Sequence, residues 1–246
     1  MRSKPETIYR FPRILSEGRI LSRPNRFIML VRAGRGTLKC HCPTTGRLGN
    51  LKVEGLPCLF STSTGRSRKT GYTVEAISTT PGDRRWIGIN QTAANRYVEF
   101  FLRNGALARL ASGDVRREVK LGKSRIDFLV GNAYVEVKTP LMALPAGPGI
   151  ARAKRNRSDS FDRLIKHMEV LRDSLVSGKR AKLVLCFLYD ARPFRPPPPS
   201  NTSSRVVAAS KAAETAGVER WQVNLRVGKE GISLIKYFQS RPYSHG

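Results

Sequence analysis

Arg125-Ile126-Asp127-Phe128-Leu129-Val130-Gly131-Asn132-Ala133-Tyr134-Val135-Glu136-Val137-Lys138 reads as two β-rich runs around a two-residue turn, Gly131-Asn132. Such a pattern is a hairpin. With the turn fixed, Val130 faces Ala133, and counting back puts Leu129 opposite Tyr134, Phe128 opposite Val135, Asp127 opposite Glu136 and Ile126 opposite Val137. Side chains alternate along a strand, so Ile126, Phe128, Val130, Ala133, Val135 and Val137 are expected on one apolar face. Asp127, Glu136 and Lys138 are expected together on the other.

Two carboxylates opposed at roughly 5 Å repel unless a proton or a cation compensates them. A hard divalent ion suits the pair, because Mg2+ or Mn2+ takes carboxylate oxygens together with water and phosphate. Lys138 then lies where an ammonium orients a water or balances charge on a phosphoryl oxygen. Asp127, a turn, then Glu136-x-Lys138 is similar to the PD-(D/E)XK nuclease pattern. The competing reading is a solvated face of exposed ion pairs with little energetic weight. Upstream, Arg117-Glu118-Val119-Lys120-Leu121-Gly122-Lys123-Ser124 reads as a preceding strand and turn, which brings Glu118 next to Asp127 as a third carboxylate for the metal.

Over most of its length the chain resembles the sugar fermentation stimulation proteins (SfsA). The resemblance rests on Asn25-Arg26-Phe27, His41-Cys42-Pro43-Thr44-Thr45-Gly46-Arg47, Asn90-Gln91-Thr92-Ala93-Ala94-Asn95-Arg96, Glu118 to Phe128, and Val135-Glu136-Val137-Lys138. It implies an N-terminal OB-fold, a PD-(D/E)XK restriction-endonuclease-like α/β domain behind it, DNA binding, and a link to sugar-metabolism genes. Thr44 stands where Asn is usual, Leu121 where Tyr is usual, and Phe161 to Met168 replaces a Gly-containing helical motif while keeping Arg163, Lys166 and His167. Arg163, Lys166 and Arg125 are carried over as phosphate-facing residues.

Charge points the same way without the resemblance. Lys+Arg number 45 against 18 Asp+Glu, a formal net charge of +27, which attracts a polyanion. Nucleic acid is the expected partner, duplex DNA ahead of single strands, with a ribosome-associated role, an acidic membrane surface or a proteome whose proteins all run basic as the bland alternatives. A membrane role loses ground because no apolar run approaches about 18 residues, and the start does not resemble a signal peptide. The cations are dispersed: Arg10, Arg13, Arg19, Arg23 and Arg26; Arg66, Arg68 and Lys69; Arg84 and Arg85; Arg152, Lys154, Arg155 and Arg157. Dispersal through periodic segments implies a broad positive surface on a folded protein.

From Ile8 to about Ser78 the chain reads as five short strands, near Phe11–Leu21, Arg26–Val31, Thr37–Cys42, Cys58–Thr62 and Tyr72–Ile77, which suits an OB-fold barrel. In that barrel Arg26, His41 and Arg47 are placed to meet a phosphate. Thr80-Pro81-Gly82-Asp83 is the expected junction, giving an OB domain over 1–82 and a nuclease-like domain over 83–246. Beyond it come a helix over Gln91–Arg103, the hairpin, a helix from Phe161 to Val176, a buried strand Lys182–Tyr189, an exposed loop from Arg192 to Ser204 around the Pro196–Pro199 run, a helix Val206–Thr215 and a strand Arg220–Val227. That order suits an α/β sheet covered on its faces.

Cys40, Cys42, Cys58 and Cys186 form no secreted disulfide framework, so a reducing cytoplasm is expected. Cys40-His41-Cys42 lacks the second ligand pair of a zinc site. His167 reads as a surface or packing residue, and Glu99 as a weak further metal carboxylate. Three functions stay open: a Mg2+- or Mn2+-dependent phosphodiesterase using Asp127, Glu136, Glu118 and Lys138, a non-catalytic DNA-binding regulator of sugar-metabolism genes on the same scaffold, and an RNA-binding protein.

Overall fold

The computed structural model describes residues 7–44, 48, 51–63, 70–79, 85–122, 124–141, 144–145, 162–175, 178–195 and 203–240. Five strands close a small barrel: β2 (Ser16–Asn25), β3 (Ile28–Ala33), β4 (Gly36–His41), β5 (Pro57–Thr62) and β6 (Tyr72–Ser78). They run in the order β4-β3-β2-β5-β6, and a parallel pairing of Cys40 and His41 with Tyr72 and Thr73 joins β4 to β6. Closure removes the sheet edges. Ile20, Met29, Val31, Cys40, Cys58 and Val74 fill the interior.

A second, seven-stranded sheet has the order β1-β13-β12-β11-β10-β9-β8. Its strands are β1 (Ile8–Arg10), β8 (Val115–Leu121), β9 (Ser124–Val130), β10 (Ala133–Lys138), β11 (Arg180–Phe187), β12 (Glu219–Val227) and β13 (Gly231–Gln239). The central pairs β10–β11 and β11–β12 are parallel, and the outer ones antiparallel. Parallel strands are buried on both faces and read as near-continuous apolar runs. Lys182 to Phe187 accordingly lies wholly in the interior.

Helix α1 (Ala94–Arg103) covers one face with Tyr97, Val98, Phe101 and Leu102, spaced three and four apart as an amphipathic helix requires. It follows a 3-10 turn, Gln91–Ala93, so the expected helix over 91–103 starts in a tighter coil. Helices α2 (Asp162–Ser174) and α3 (Ser203–Thr215) cover the other face, where Met168, Leu171 and Ala213 pack on Leu129, Tyr134 and Leu183. Each fully buried Leu or Met contributes about 1.5–3 kcal/mol. The sheet is therefore sandwiched, and the expectation of one apolar and one polar hairpin face is corrected: Leu129 and Tyr134 are buried on the side of Glu136.

The two sheets interlock in sequence. Strand β1, inside the expected 1–82 unit, pairs with β13, Ile8 opposite Ser233. Strand β7 (Trp86–Gly88), beyond that unit, pairs with β6 of the barrel. Leu15, Leu59 and Ala76 join the core under α1, while Leu185, Phe187 and Tyr189 pack with the barrel interior. Gly88 sits where the sheets meet: its N–H donates to Leu188 O at 2.8 Å, and a Cβ there would lie 2.4 Å from Leu188 Cβ. The basic runs at 66–69 and 152–157, Arg84, and the proline run lie outside the described residues.

Candidate functional site

Register in the hairpin is as counted for Val130–Ala133, Leu129–Tyr134 and Phe128–Val135. Gly131, at φ +53, makes the turn, and a Cβ there would meet Ser112 O at 2.5 Å. The ladder stops before Asp127 and Glu136, which are not paired through their backbones as counted. Side chains take over: Val137 N–H donates to Asp127 Oδ2 at 2.8 Å, and Asp127 N–H points at Glu136 Oε2 at 3.4 Å. The neighbouring ladder also skips this point. Arg117 pairs with Phe128 and Val119 with Ile126, while Glu118 between them has φ +50. The chain bends here, so Ile126 packs with Leu129 and Leu171 rather than sharing the face of Phe128.

Asp127 and Glu136 thus do come together, and each has its own retinue. Asp127 Oδ1 accepts from Asn95 Nδ2 of α1 at 2.6 Å. Glu136, almost wholly buried, accepts on Oε1 from Lys138 Nζ at 2.5 Å and is bound at the same oxygen by His167 Nδ1 of α2. Lys138 Nζ and His167 Nδ1 lie 3.3 Å apart, both on the same Glu136 oxygen. Burial and the neighbouring Glu136 push the Asp127 carboxyl above its ordinary range, against the Val137 amide, Lys138 and Asn95. Burial would also raise Glu136, but the His167 hydrogen bond and the Lys138 ammonium outweigh it and hold that carboxyl low. One group of the pair is stabilised ionised, and the other resists ionisation.

Glu118 is exposed, and the expected third carboxylate is not brought to the pair. Among the described residues no three His, Cys, Asp or Glu side chains cluster to hold one ion. Two carboxylates still suit Mg2+ or Mn2+, which complete their shells with water and phosphate. Glu99 faces elsewhere, bound to Arg103 at 3.0 Å and Arg117 at 3.1 Å. Arg125 and Lys166 are exposed. Arg26 is exposed on the β2–β3 turn with its guanidinium 5.2 Å from the Phe27 ring centroid, and His41 closes β4 opposite Ile28. Arg47 and the side chain of Arg163 lie outside the described residues. Cys40 and Cys42 point into the barrel, with burial raising the Cys40 thiol to about 11.

Two site residues escaped the sequence reading. Asn95 lies four residues after Gln91, one helical turn on, a spacing that puts both on the same side of the α1 start. His167 is buried rather than superficial, next to exposed Lys166. Its signal is the i, i+1, i+4 pattern of His167, Met168 and Leu171, which sets the buried stripe of α2.

Comparison with known proteins agrees with this architecture. The domain family described as SfsA N-terminal OB domain matches residues 21–89, and that described as sugar fermentation stimulation protein RE domain matches residues 92–231. A sugar fermentation stimulation protein homolog from Methylorubrum populi is 34% identical over 240 residues, covering 94% of each chain. One from Synechococcus sp. (strain JA-2-3B'a(2-13)) is 33% identical, covering 91% of this chain and 92% of its own. The solved structure of Pyrococcus furiosus SfsA in complex with Ca2+ superposes with a TM-score of 0.75 at 22% identity, over 95% of this chain and 98% of that one, and so shares the fold. With both domain families matched in order and full-length relatives at this identity, the chain belongs to the sugar fermentation stimulation protein (SfsA) family.

Proposed function

We propose that this protein binds DNA through its positive surface and hydrolyses phosphodiester bonds at Asp127, Glu136 and Lys138 with Mg2+ or Mn2+. The observation that carries the reading is the meeting of the two carboxylates where the β9–β10 ladder stops, with Lys138 Nζ 2.5 Å from Glu136. Asp127 and Glu136 are the residues that would hold the ion. The Ca2+ complex of the Pyrococcus relative supports a hard, oxygen-seeking cation in this family. When bound, such an ion supplies Lewis acidity at a phosphoryl oxygen and acidifies water.

The chain's own residues do the rest. Asn95 and the Val137 amide fix both Asp127 oxygens, so the carboxylate need not reorganise. Lys138 is partly exposed and reaches both Glu136 and the solvent side, where its ammonium positions a water or a phosphate oxygen. His167 holds Glu136 Oε1 from the α2 side and keeps that carboxylate ionised. Exposed Arg125, Lys166 and Arg26 draw in the phosphate backbone.

One observation favours a second reading. Lys138 and His167 already compensate Glu136 without an ion, as a retired site would require. The protein would then be a non-catalytic DNA-binding regulator. Plasmid nicking by the purified full chain with Mg2+ or Mn2+ separates the two. The hydrolytic reading expects nicks that fall by about 100-fold or more in Asp127→Ala, Glu136→Ala and Lys138→Ala, with duplex affinity retained in all three and metal binding retained only in Lys138→Ala. Absence of cleavage with every metal and nucleic acid tried hands the function to the regulator.

A further inference from the structure

The strand that carries Glu136 and Lys138 runs directly into the barrel. Gln91 Nε2 donates to the carbonyl of Thr139, the residue after Lys138, at 2.5 Å. Leu141 and Leu144 are buried in the barrel's core cluster, and Thr79 Oγ1, just past β6, donates to Pro145 O at 2.7 Å. The same Gln91 amide accepts on Oε1 from Thr44 Oγ1 at 2.5 Å. Thr44 is buried at the end of the segment that leaves β4. A single side chain therefore spans the barrel loop and the backbone next to Lys138.

Neighbouring residues fix the turn that carries that side chain. Asn90 Oδ1 accepts from Ala93 N–H at 3.1 Å and so caps the turn before α1. Its Nδ2 donates to Glu75 of β6 at 2.7 Å, and Glu75 is held by Ser61 of β5 at 2.6 Å. One helical turn later Asn95 reaches Asp127. The short stretch Asn90–Asn95 thus touches barrel strand β6, the barrel loop, the exit of β10 and the Asp127 carboxylate.

We infer that Gln91 is a positioning residue that couples the barrel to the Asp127–Glu136–Lys138 site, so that the state of the Cys42–Thr44 loop sets the placement of Lys138. The kinetic part of this inference rests on the hydrolytic reading above, whereas the coupling rests on geometry alone. Nucleic acid held by the barrel next to that loop would be felt at Lys138 through one amide and two hydrogen bonds, with no large movement of either sheet.

The test is hydrogen exchange on the full-length chain, read by mass spectrometry at peptides covering Cys42–Thr44, Val137–Thr139 and the distant strand β12. Thr44→Val removes the hydroxyl donor from the barrel side. Exchange at Val137–Thr139 should rise about fivefold, the factor that one net hydrogen bond is worth, while β12 is unchanged, and Thr44→Ser should restore the wild-type rate. Gln91→Glu keeps the acceptor for Thr44 but turns an oxygen toward Thr139 O. It should speed exchange at Val137–Thr139 and leave Cys42–Thr44 as in wild type. If the full chain nicks DNA, Gln91→Glu should lower kcat about tenfold or more with KM for duplex within twofold, as expected for a group that acts on the site and not on binding. Unchanged exchange at Val137–Thr139 in Thr44→Val overturns the coupling, as does a rise spread equally over β12, which marks plain destabilisation. If wild type cleaves nothing, the hydrolytic reading fails and the exchange result still decides the coupling.

Discussion

Replacing Glu118 by Gly should stabilise this protein even though it deletes a side chain from the interior of a strand. At φ +50 an L-residue sits in the left-handed region, where contact of Cβ with the following carbonyl costs roughly 1–2 kcal/mol. Glycine escapes that clash but loses about 0.5–1 kcal/mol to the greater freedom of its unfolded chain. The balance favours Gly by about 1 kcal/mol. Removing a carboxylate from a chain of net charge +27 adds an unrelated electrostatic change. Glu118→Ala provides the control, since it loses the same exposed charge but keeps the Cβ. The difference between the two variants therefore reports the backbone alone. In urea unfolding Gly should exceed Ala by about 1 kcal/mol, and in thermal melts by roughly 2–4 °C, for a chain of this size. An Ala variant as stable as the Gly variant, or more so, would refute the strain argument. Strain of this kind persists where the surroundings over-determine it. Here it coincides with the point at which Asp127 leaves the ladder. A Gly variant that is more stable but holds metal less tightly would tie the kink to the site.

Four further outcomes are expected. Asp127 has its folded pKa raised above the ordinary 3.8, so its favourable contribution is complete below that value and is lost as pH rises through the folded pKa. Asp127→Asn should therefore gain stability relative to wild type on going from pH 3 toward neutrality, and a stability difference, Asn minus wild type, that falls over this range contradicts the shift. Gly231→Ala places a Cβ 2.2 Å from Tyr9 O, a backbone atom that cannot yield. It should peel β1 from β13 at a cost of about 1–3 kcal/mol, visible as fast exchange at Ile8–Arg10, and a fully protected β1 would contradict it. DNA affinity should fall linearly in log–log form with salt, by about 0.9 for each phosphate neutralised, and a flat response excludes a phosphate footprint. Fragment 1–82 should fail to fold alone, since it lacks β7 and the Leu141, Leu144 and Leu185 side chains that complete the barrel's packing; a cooperative melt for that fragment would show the barrel to be self-sufficient.

The features legible in the sequence were those fixed by local chemistry. The two-residue turn sets three hairpin pairs, and short β-rich runs between turn signals mark the five barrel strands, the first of them displaced from Phe11–Leu21 to Ser16–Asn25. What the sequence hid was decided elsewhere in space. Strand β1 has three residues and exists only because β13 offers it an edge, while β13 follows a Gly228-to-Gly231 turn whose signal was present but unused. The interlock of the sheets is invisible to composition, because Leu185 and Phe187 look like any buried strand until the barrel is seen against them.

The site itself divides along the same line. Residue types and spacing brought Asp127, Glu136 and Lys138 to one place, but the register count made the carboxylates ladder partners, which they are not. The Val137 amide instead donates to Asp127, and Glu136 is bound by Lys138 and His167. Each carboxylate also gains a donor from a helix, Asn95 of α1 for Asp127 and His167 of α2 for Glu136. Those donors lie about 30 residues away on either side of the hairpin, so only the folded chain reveals them. The broken ladder is therefore the place where two helices gain a hold on one pair of carboxylates.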